Sequence, residues 1–175
     1  MGSDAGRPAA TVTITVTIPD MRLCLILAIL ASLALPARAD APLIVLDRGQ
    51  LPFELGPGHP ANNPAKPSNS PNATWNSSGN TANSSSVREN QPSNPANSKR
   101  LIFTSNGSVL GYYAANAGGV LNLFDVNGRR IAYRPAKGTQ SLFSTDGQWC
   151  GTVDNQRGGG FVLALTRDCA SRFAP

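Results

Sequence analysis

The stretch LFDVNGRRIAYR, residues 123–134, reads as one β-hairpin. Two apolar residues lead towards the turn-forming pair Asn127-Gly128, and a second apolar stretch follows it. The same outline recurs at 102–113 as IFTSNGSVLGYY and at 142–153 as LFSTDGQWCGTV. Asn-Gly and Asp-Gly pairs are typical of two-residue type I′ turns, because both central positions of such a turn have positive φ. The pattern therefore predicts three tandem β-hairpins.

A two-residue turn fixes which residues face each other across each hairpin. It predicts six cross-strand pairs: Phe103–Leu110, Phe124–Ile131, Phe143–Cys150, Ile102–Gly111, Leu123–Ala132 and Leu142–Gly151. Because side chains alternate along a strand, each hairpin then has apolar residues on both faces. A single such hairpin cannot bury both faces, so we expect the repeats to pack around a pseudo-axis, with the small residues letting neighbours approach closely. The predicted fold class is all-β.

Two further segments extend this pattern. FVLALT, residues 161–166, is predicted to be a strand that pairs with QWCGTV. Residues 40–55 form a short β segment and a candidate first hairpin, because LIVLDRGQLPFEL at 43–55 resembles the other repeats with one residue missing at the turn. The alternative is that this segment is a loose leader. Helical periodicity is absent from the sequence after residue 39.

Residues 21–39 have the order of a secretory signal peptide. Arg22 follows Met21, an apolar run of 13 residues spans 23–35, and Ala37-Arg38-Ala39 provides a cleavage site. A transmembrane anchor is the alternative, but this run is shorter than the roughly 20 residues that cross a bilayer. We therefore expect a periplasmic or secreted protein. Residues 1–20 are interpreted as a mis-called extension ahead of the true start at Met21.

The segment 56–99 has the composition of a disordered linker. Asn, Ser and Pro account for 26 of the 43 residues from Gly56 to Ser98, and Trp75 is the only aromatic residue there. So little apolar surface does not offset the entropy lost on ordering. The segment is either a tether or a tolerated insertion. The hairpin domain is then expected at 100–175.

Cys150 and Cys169 are the two cysteines that remain after signal cleavage. In an exported protein such a pair predicts a disulfide, and a body of some 75 residues needs one because its core is small. A metal or redox pair is the alternative, but C-x-x-C spacing and a nearby histidine are missing.

The hairpin outline resembles the four-fold beta-flower domain, a small bacterial all-β repeat domain. The residues that carry the likeness are Leu123-Phe124-Asp125, Gly128, Ile131-Ala132-Tyr133 and Val109-Leu110-Gly111-Tyr112. The resemblance covers residues 101–153, with 43–55 as a fourth repeat, and implies four hairpins around a pseudo-axis. It implies no activity. Thr152 departs from the pattern, which has an aromatic residue at that position.

The sequence offers little catalytic chemistry. Its single histidine, His59, lies in the predicted linker, which excludes a histidine-based triad and a multi-histidine metal site. Asp125 is expected to face Arg130 as a surface ion pair. We therefore predict a protein that is not an enzyme and has neither a metal nor another cofactor. A small periplasmic hydrolase that uses paired carboxylates is the alternative.

Basic residues suggest a binding role. After signal cleavage, twelve Lys and Arg residues stand against eight acidic ones, a net charge of +4. The candidate sites for an anion or a partner are Arg129, Arg134, Lys137 and Tyr133. We expect a non-catalytic envelope or secreted module that binds a protein or an anionic polymer, or has a structural role. We predict neither a nucleic-acid partner nor a membrane span after cleavage.

Overall fold

In the computed structural model, strands that follow one another in the chain are neighbours around a closed β-barrel. The structure describes residues 41–46, 49, 51–155 and 161–174; the predicted signal peptide and the extension at 1–20 lie outside the described residues. The described strands are β1 (Ala41–Leu46), β2 (Leu101–Phe103), β3 (Val109–Ala115), β4 (Leu121–Asp125), β5 (Arg130–Arg134), β6 (Ser141–Ser144), β7 (Trp149–Asn155) and β8 (Phe161–Thr166). They confirm the all-β hairpin fold.

Three antiparallel hairpins, β2–β3, β4–β5 and β6–β7, make up most of the barrel. The predicted pairs Ile102–Gly111, Leu123–Ala132 and Leu142–Gly151 are all present. Strand β8 pairs with β7, as predicted. Strand β1 closes the barrel because it pairs in parallel with both β2 and β8.

The hairpin turns differ from the predicted type I′ turns. In the second hairpin the Gly128 N–H donates to Asp125 O (3.0 Å), and the Asp125 N–H donates to Arg129 O (2.9 Å). Among the described residues only glycines have positive φ, and Gly128 has φ 82°. This is a type I turn followed by a glycine bulge, and the first and third hairpins repeat it. The bulge shifts the predicted pairs nearest the turns by one residue, to Phe103–Val109, Phe124–Arg130 and Phe143–Trp149.

The small residues of the repeats admit neighbouring strands, as predicted. A Cβ on Gly111 would lie 2.0 Å from Phe124 O of β4. A Cβ on Gly151 would lie 2.0 Å from Ala164 O of β8. Both distances are far below van der Waals contact, so any larger residue would separate the strands.

Both faces of the hairpin strands are buried. Leu123 and Phe124 are consecutive in β4 and point to opposite faces, yet each is fully inaccessible to solvent. Leu123 belongs to an apolar cluster that joins every strand of the barrel, including Ile102, Leu142, Leu163 and Leu165. Phe124 and the aromatic residues Tyr112, Tyr133, Phe143 and Trp149 form separate clusters on the other face. That second face needs its own cover.

Residues 51–100, which we call the strap, provide this cover. The composition of 56–99 predicted disorder, whereas the structure describes a regular seven-residue repeat there. Asparagine occupies every seventh position, and these side chains are at most 5% exposed: Asn62, Asn69, Asn76, Asn83, Asn90 and Asn97. Short 3-10 turns recur along it at Phe53–Leu55, Pro60–Asn62, Pro67–Asn69, Thr81–Asn83, Arg88–Asn90 and Asn97–Lys99.

The buried carboxamides join each repeat to the one before it. Asn69 Nδ2 donates to Ala61 O (2.8 Å) and to Asn63 O (3.0 Å), which flank the preceding repeat asparagine. All six asparagines make the same two bonds, to the carbonyls eight and six residues earlier, at 2.8 to 3.0 Å. Hydrogen bonding therefore does for the strap what apolar packing does for the barrel.

The strap docks on the barrel at matching intervals. The Tyr133 hydroxyl donates to Asn69 O (2.7 Å), and the Tyr112 hydroxyl donates to Asn90 O (2.6 Å). The two asparagines are 21 residues apart, which is three strap repeats, and the two tyrosines are also 21 residues apart, which is one hairpin repeat. The earlier asparagine, Asn69, contacts the second hairpin, and the later one, Asn90, contacts the first. The strap therefore crosses the hairpins in the reverse of their order in the chain.

The candidate first hairpin at 43–55 is not formed. Residues 41–46 are a strand, so the short β segment is present, but Phe53–Leu55 is a 3-10 turn at the start of the strap. The fourth position in the barrel is occupied instead by β8 and β1, which come from opposite ends of the described chain.

A disulfide ties β7 to the segment after β8. Cys150 in β7 and Cys169 are bonded, with their Cα atoms 5.5 Å apart. Cys169 lies in a short helix, α1 (Arg167–Ser171), which the sequence did not predict. Thr166 caps this helix, since its hydroxyl accepts the Cys169 N–H. None of the described helices is both long and apolar enough to span a bilayer.

Removal of one strap carboxamide tests the role of the repeat. We expect Asn69→Ala to lower the free energy of unfolding by about 2 to 3 kcal/mol, because a buried carboxamide and its two hydrogen bonds to partly buried carbonyls are lost. Urea denaturation of the purified protein measures the change. The control is Asn72→Ala, whose side chain is exposed. Equal stability of the two variants would contradict the assigned role.

Removal of the disulfide tests the staple. We expect Cys150→Ala/Cys169→Ala to lower the free energy of unfolding by about 3 kcal/mol, because the unfolded chain loses a closed loop. Dithiothreitol should bring the wild-type protein down to the stability of the variant and should leave the variant unchanged. An equal effect of the reductant on both proteins would argue against this linkage.

Candidate binding groove

The structure does not bring the four predicted binding residues together. Tyr133 is fully buried beneath the strap, where its hydroxyl is bonded to Asn69 O. In this structure Tyr133 therefore contacts the strap and is not accessible to solvent. Tyr112, Tyr113 and Trp149 are also buried, with at most 6% of their surface exposed.

Arg129 belongs to the turn of the second hairpin. Its Nε lies 2.9 Å from Asp125 Oδ2, and its Nη2 donates to Arg172 O (2.8 Å). The other Asp125 oxygen accepts the N–H groups of Asn127 and Arg129. The predicted pairing of Asp125 with Arg130 is therefore wrong, because the glycine bulge places Arg130 opposite Phe124.

Arg130 holds the strap on the barrel. Its Nη1 donates to Asn76 O (2.8 Å), its Nε donates to Asn122 Oδ1 (2.8 Å), and its guanidinium lies over the Tyr133 ring. Burial lowers the pKa of Arg130 to about 10, so it stays cationic at neutral pH. The guanidinium of Arg130 therefore bonds to groups inside the protein and is not directed at solvent.

Arg134 is partly engaged at the end of β5. Its Nη1 donates to Gln140 Oε1 (2.9 Å), and burial lowers its pKa. Both bonding and burial reduce its availability to an external anion.

The carboxylates of the barrel turns are also engaged. Asp146 accepts a hydrogen bond from the Ser144 hydroxyl and forms an ion pair with Arg172, whose Nη2 lies 3.1 Å from Oδ2. The bond from Ser144, followed by Arg172, lowers the pKa of Asp146. Asp125 and Asp146 therefore both have structural roles in turns. Among the described residues, no group of three His, Cys, Asp or Glu side chains is placed to hold a metal ion.

Lys137 lies at an open cleft. This cleft, of about 390 Å³, lies between the strap and the loop that joins β5 to β6. We call it the groove; it is lined by Ser68, Trp75, Gly118, Pro135, Ala136 and Lys137. Trp75 leaves 52% of its surface exposed there.

A second lysine reaches the same loop. Lys66 Nζ lies 3.9 Å from the point that a Cβ on Gly138 would occupy, next to Lys137 in the chain. Both lysines are exposed, and neither forms an ion pair with another described residue. The groove thus has an exposed indole and one unneutralised ammonium group in its lining, with a second ammonium group beside the loop that carries Lys137.

The sequence analysis missed Lys66 and Trp75 because it placed them in a disordered linker. The spacing of asparagine at 62, 69, 76, 83, 90 and 97 was the available signal. Recognised as a repeat, it would have predicted an ordered segment, in which Trp75 directly precedes a buried asparagine.

A second cleft, of about 370 Å³, lies near the turn of the β4–β5 hairpin and helix α1. Arg129, Arg130 and Arg172 line it. Arg129 and Arg172 are paired with carboxylates, and Arg130 is bonded to the strap. This cleft therefore offers less free positive charge than the groove.

The buried tyrosines predict a specific alkaline response. Burial, with a smaller contribution from Asp125, raises the pKa of Tyr112 to about 12. A raised folded-state pKa stabilises the fold fully below the unfolded pKa near 10, and this stabilisation disappears as the pH rises towards 12. Replacement by phenylalanine, Tyr112→Phe, should cost about 1 kcal/mol at neutral pH, because the bond to Asn90 O is lost.

The stability difference between wild type and Tyr112→Phe should shrink across that pH interval, as measured by urea denaturation. The contribution of Arg130 is the same in both proteins and cancels in this difference; its lowered pKa would otherwise change stability in the opposite direction. A difference that stays constant to pH 12 would show that the tyrosine does not ionise as described.

Comparison with known proteins gives no family or relative from which a function could be assigned. Neither a protein-family model nor a curated protein nor a solved structure matches the chain. The resemblance to the four-fold beta-flower domain stays a prediction.

Proposed function

We propose that the protein is an exported, non-catalytic β-barrel module that binds an anionic polymer in the periplasm or outside the cell. The observation that carries this proposal is a pair of exposed lysines without a carboxylate partner among the described residues: Lys137 lines the groove, and Lys66 reaches the neighbouring Gly138. Unpaired ammonium groups beside a cleft attract an anion without first breaking an internal ion pair.

Two further observations support export and a binding role. The signal-peptide pattern at 21–39 agrees with the Cys150–Cys169 disulfide, since disulfides persist in oxidising compartments. The carboxylates of the described barrel turns, Asp125 and Asp146, are bound to arginines and to their own turns, which suits structure better than catalysis.

Removal of both lysines tests the proposal. Lys66→Gln/Lys137→Gln should weaken binding of soluble polyanions at least tenfold, as measured by calorimetry with polygalacturonate, polyglutamate and polyphosphate. Binding by the wild-type protein should be weak and should fade as salt rises, because exposed charges are screened.

A matched variant separates local from overall charge. Lys99→Gln/Arg167→Gln removes the same two charges at exposed positions outside the groove. Its affinity should stay close to that of the wild type. The proposal fails if both double variants bind equally well, if binding is insensitive to salt, or if none of the three polyanions binds.

A further inference from the structure

Trp75 provides a fixed platform rather than a mobile side chain on a loop. Its backbone carbonyl accepts a hydrogen bond from Asn83 Nδ2 (2.8 Å), and the next residue, Asn76, is fully buried. The strap therefore holds the Trp75 backbone on both sides, while half of the residue faces solvent. An exposed indole on a rigid backbone can bind the apolar face of a ring at little entropic cost.

The other walls of the groove suit a flat ring. Gly118, Pro135 and Ala136 are small or rigid, so the cleft beside the indole is shallow and mostly apolar. Ser68 adds a hydroxyl and Lys137 adds a positive charge at its edge. A pyranose ring has this combination of features, since its C–H face is apolar and its rim is polar.

The charge density of the site is low. Two lysines lie at or beside the groove, whereas proteins that bind nucleic acids contact many phosphates, often about six to ten. A ligand that presents one or two carboxylates matches these two ammonium groups, and its other contacts then come from uncharged groups.

Neutral polar groups continue along the strap from the groove. A shallow cleft of about 600 Å³ is lined by Asn72, Thr74, Ser77, Gly79, Asn80 and Thr81. Thr74 and Trp75 are consecutive, so the cleft along the strap begins one residue away from Trp75. Hydroxyl and carboxamide groups both donate and accept hydrogen bonds, as sugar hydroxyls do.

We infer that the ligand of the groove is an acidic polysaccharide, with one sugar ring stacked on Trp75 and a carboxylate held by Lys66 and Lys137. This inference rests on the proposed function and names its ligand class. Further sugar units of the same chain would lie along the cleft between Asn72 and Thr81.

The test uses uronic-acid oligosaccharides from polygalacturonate, hyaluronate and alginate, with the exported full-length protein. Trp75→Ala should weaken binding of the best oligosaccharide about tenfold. Binding should also change the tryptophan fluorescence of the wild-type protein, and Trp75→Ala should lose this change because Trp149 is buried. Trp75→Phe should retain part of the affinity.

Phe53→Ala is the matched control, because Phe53 is an exposed strap aromatic, 63% accessible, outside the groove. This variant should bind like the wild type. Circular dichroism and the melting temperature of Trp75→Ala should stay unchanged, since its side chain is exposed.

The outcomes separate the two proposals. If lysine removal abolishes binding but Trp75→Ala behaves like Phe53→Ala, the inference is wrong and the anion-binding function stands. The inference is also wrong if polyphosphate or single-stranded DNA binds more tightly than every oligosaccharide, or if none of the oligosaccharides binds. If neither lysine removal nor Trp75→Ala changes binding, both proposals fail.

Discussion

The buried carboxamide that recurs every seventh residue in the strap holds this structure together. Each one, as Asn69 shows, donates to two carbonyls of the preceding repeat, so that a chain almost without apolar residues becomes ordered. A buried carboxamide is costly when its N–H groups are unpaired, which makes the geometry of the repeat strict. The ordered strap then covers the outer aromatic face of the barrel. Without that cover, Phe124, Tyr133 and Phe143 would face water.

The strap and the barrel make regular contacts because three strap repeats have the same number of residues as one hairpin repeat. Three seven-residue repeats span the same 21 residues that separate Tyr112 from Tyr133. The strap is also the connection between β1 and β2, which are parallel neighbours and need a long crossover. Covering the outer face and closing the barrel are therefore done by one segment. The same segment carries Lys66 and Trp75, so the groove exists only because the strap is ordered.

Sequence reasoning succeeded where short-range geometry decides. The hairpin positions, the pairs Ile102–Gly111, Leu123–Ala132 and Leu142–Gly151, and the Cys150–Cys169 pair all followed from local pattern. It failed at the turns, because Asn-Gly and Asp-Gly also fit a type I turn with a glycine bulge, and the bulge redirected Asp125 to Arg129. It failed at the strap because a composition argument counts apolar surface and does not count buried amide bonds.

By itself the sequence determined that the chain forms β-hairpins with two apolar faces, since alternation and turn residues are local properties. It also contained the spacing of the strap asparagines, whose meaning depends on contacts between repeats. Only the tertiary structure decided which charges are free. Arg129, Arg130 and Lys137 are similar cations in the sequence, but the fold bonds the first to a carboxylate and the second to the strap. Of the three, Lys137 alone has no such bond to another described residue and lines the groove, where its loop lies near Trp75 and Lys66 from a distant part of the chain.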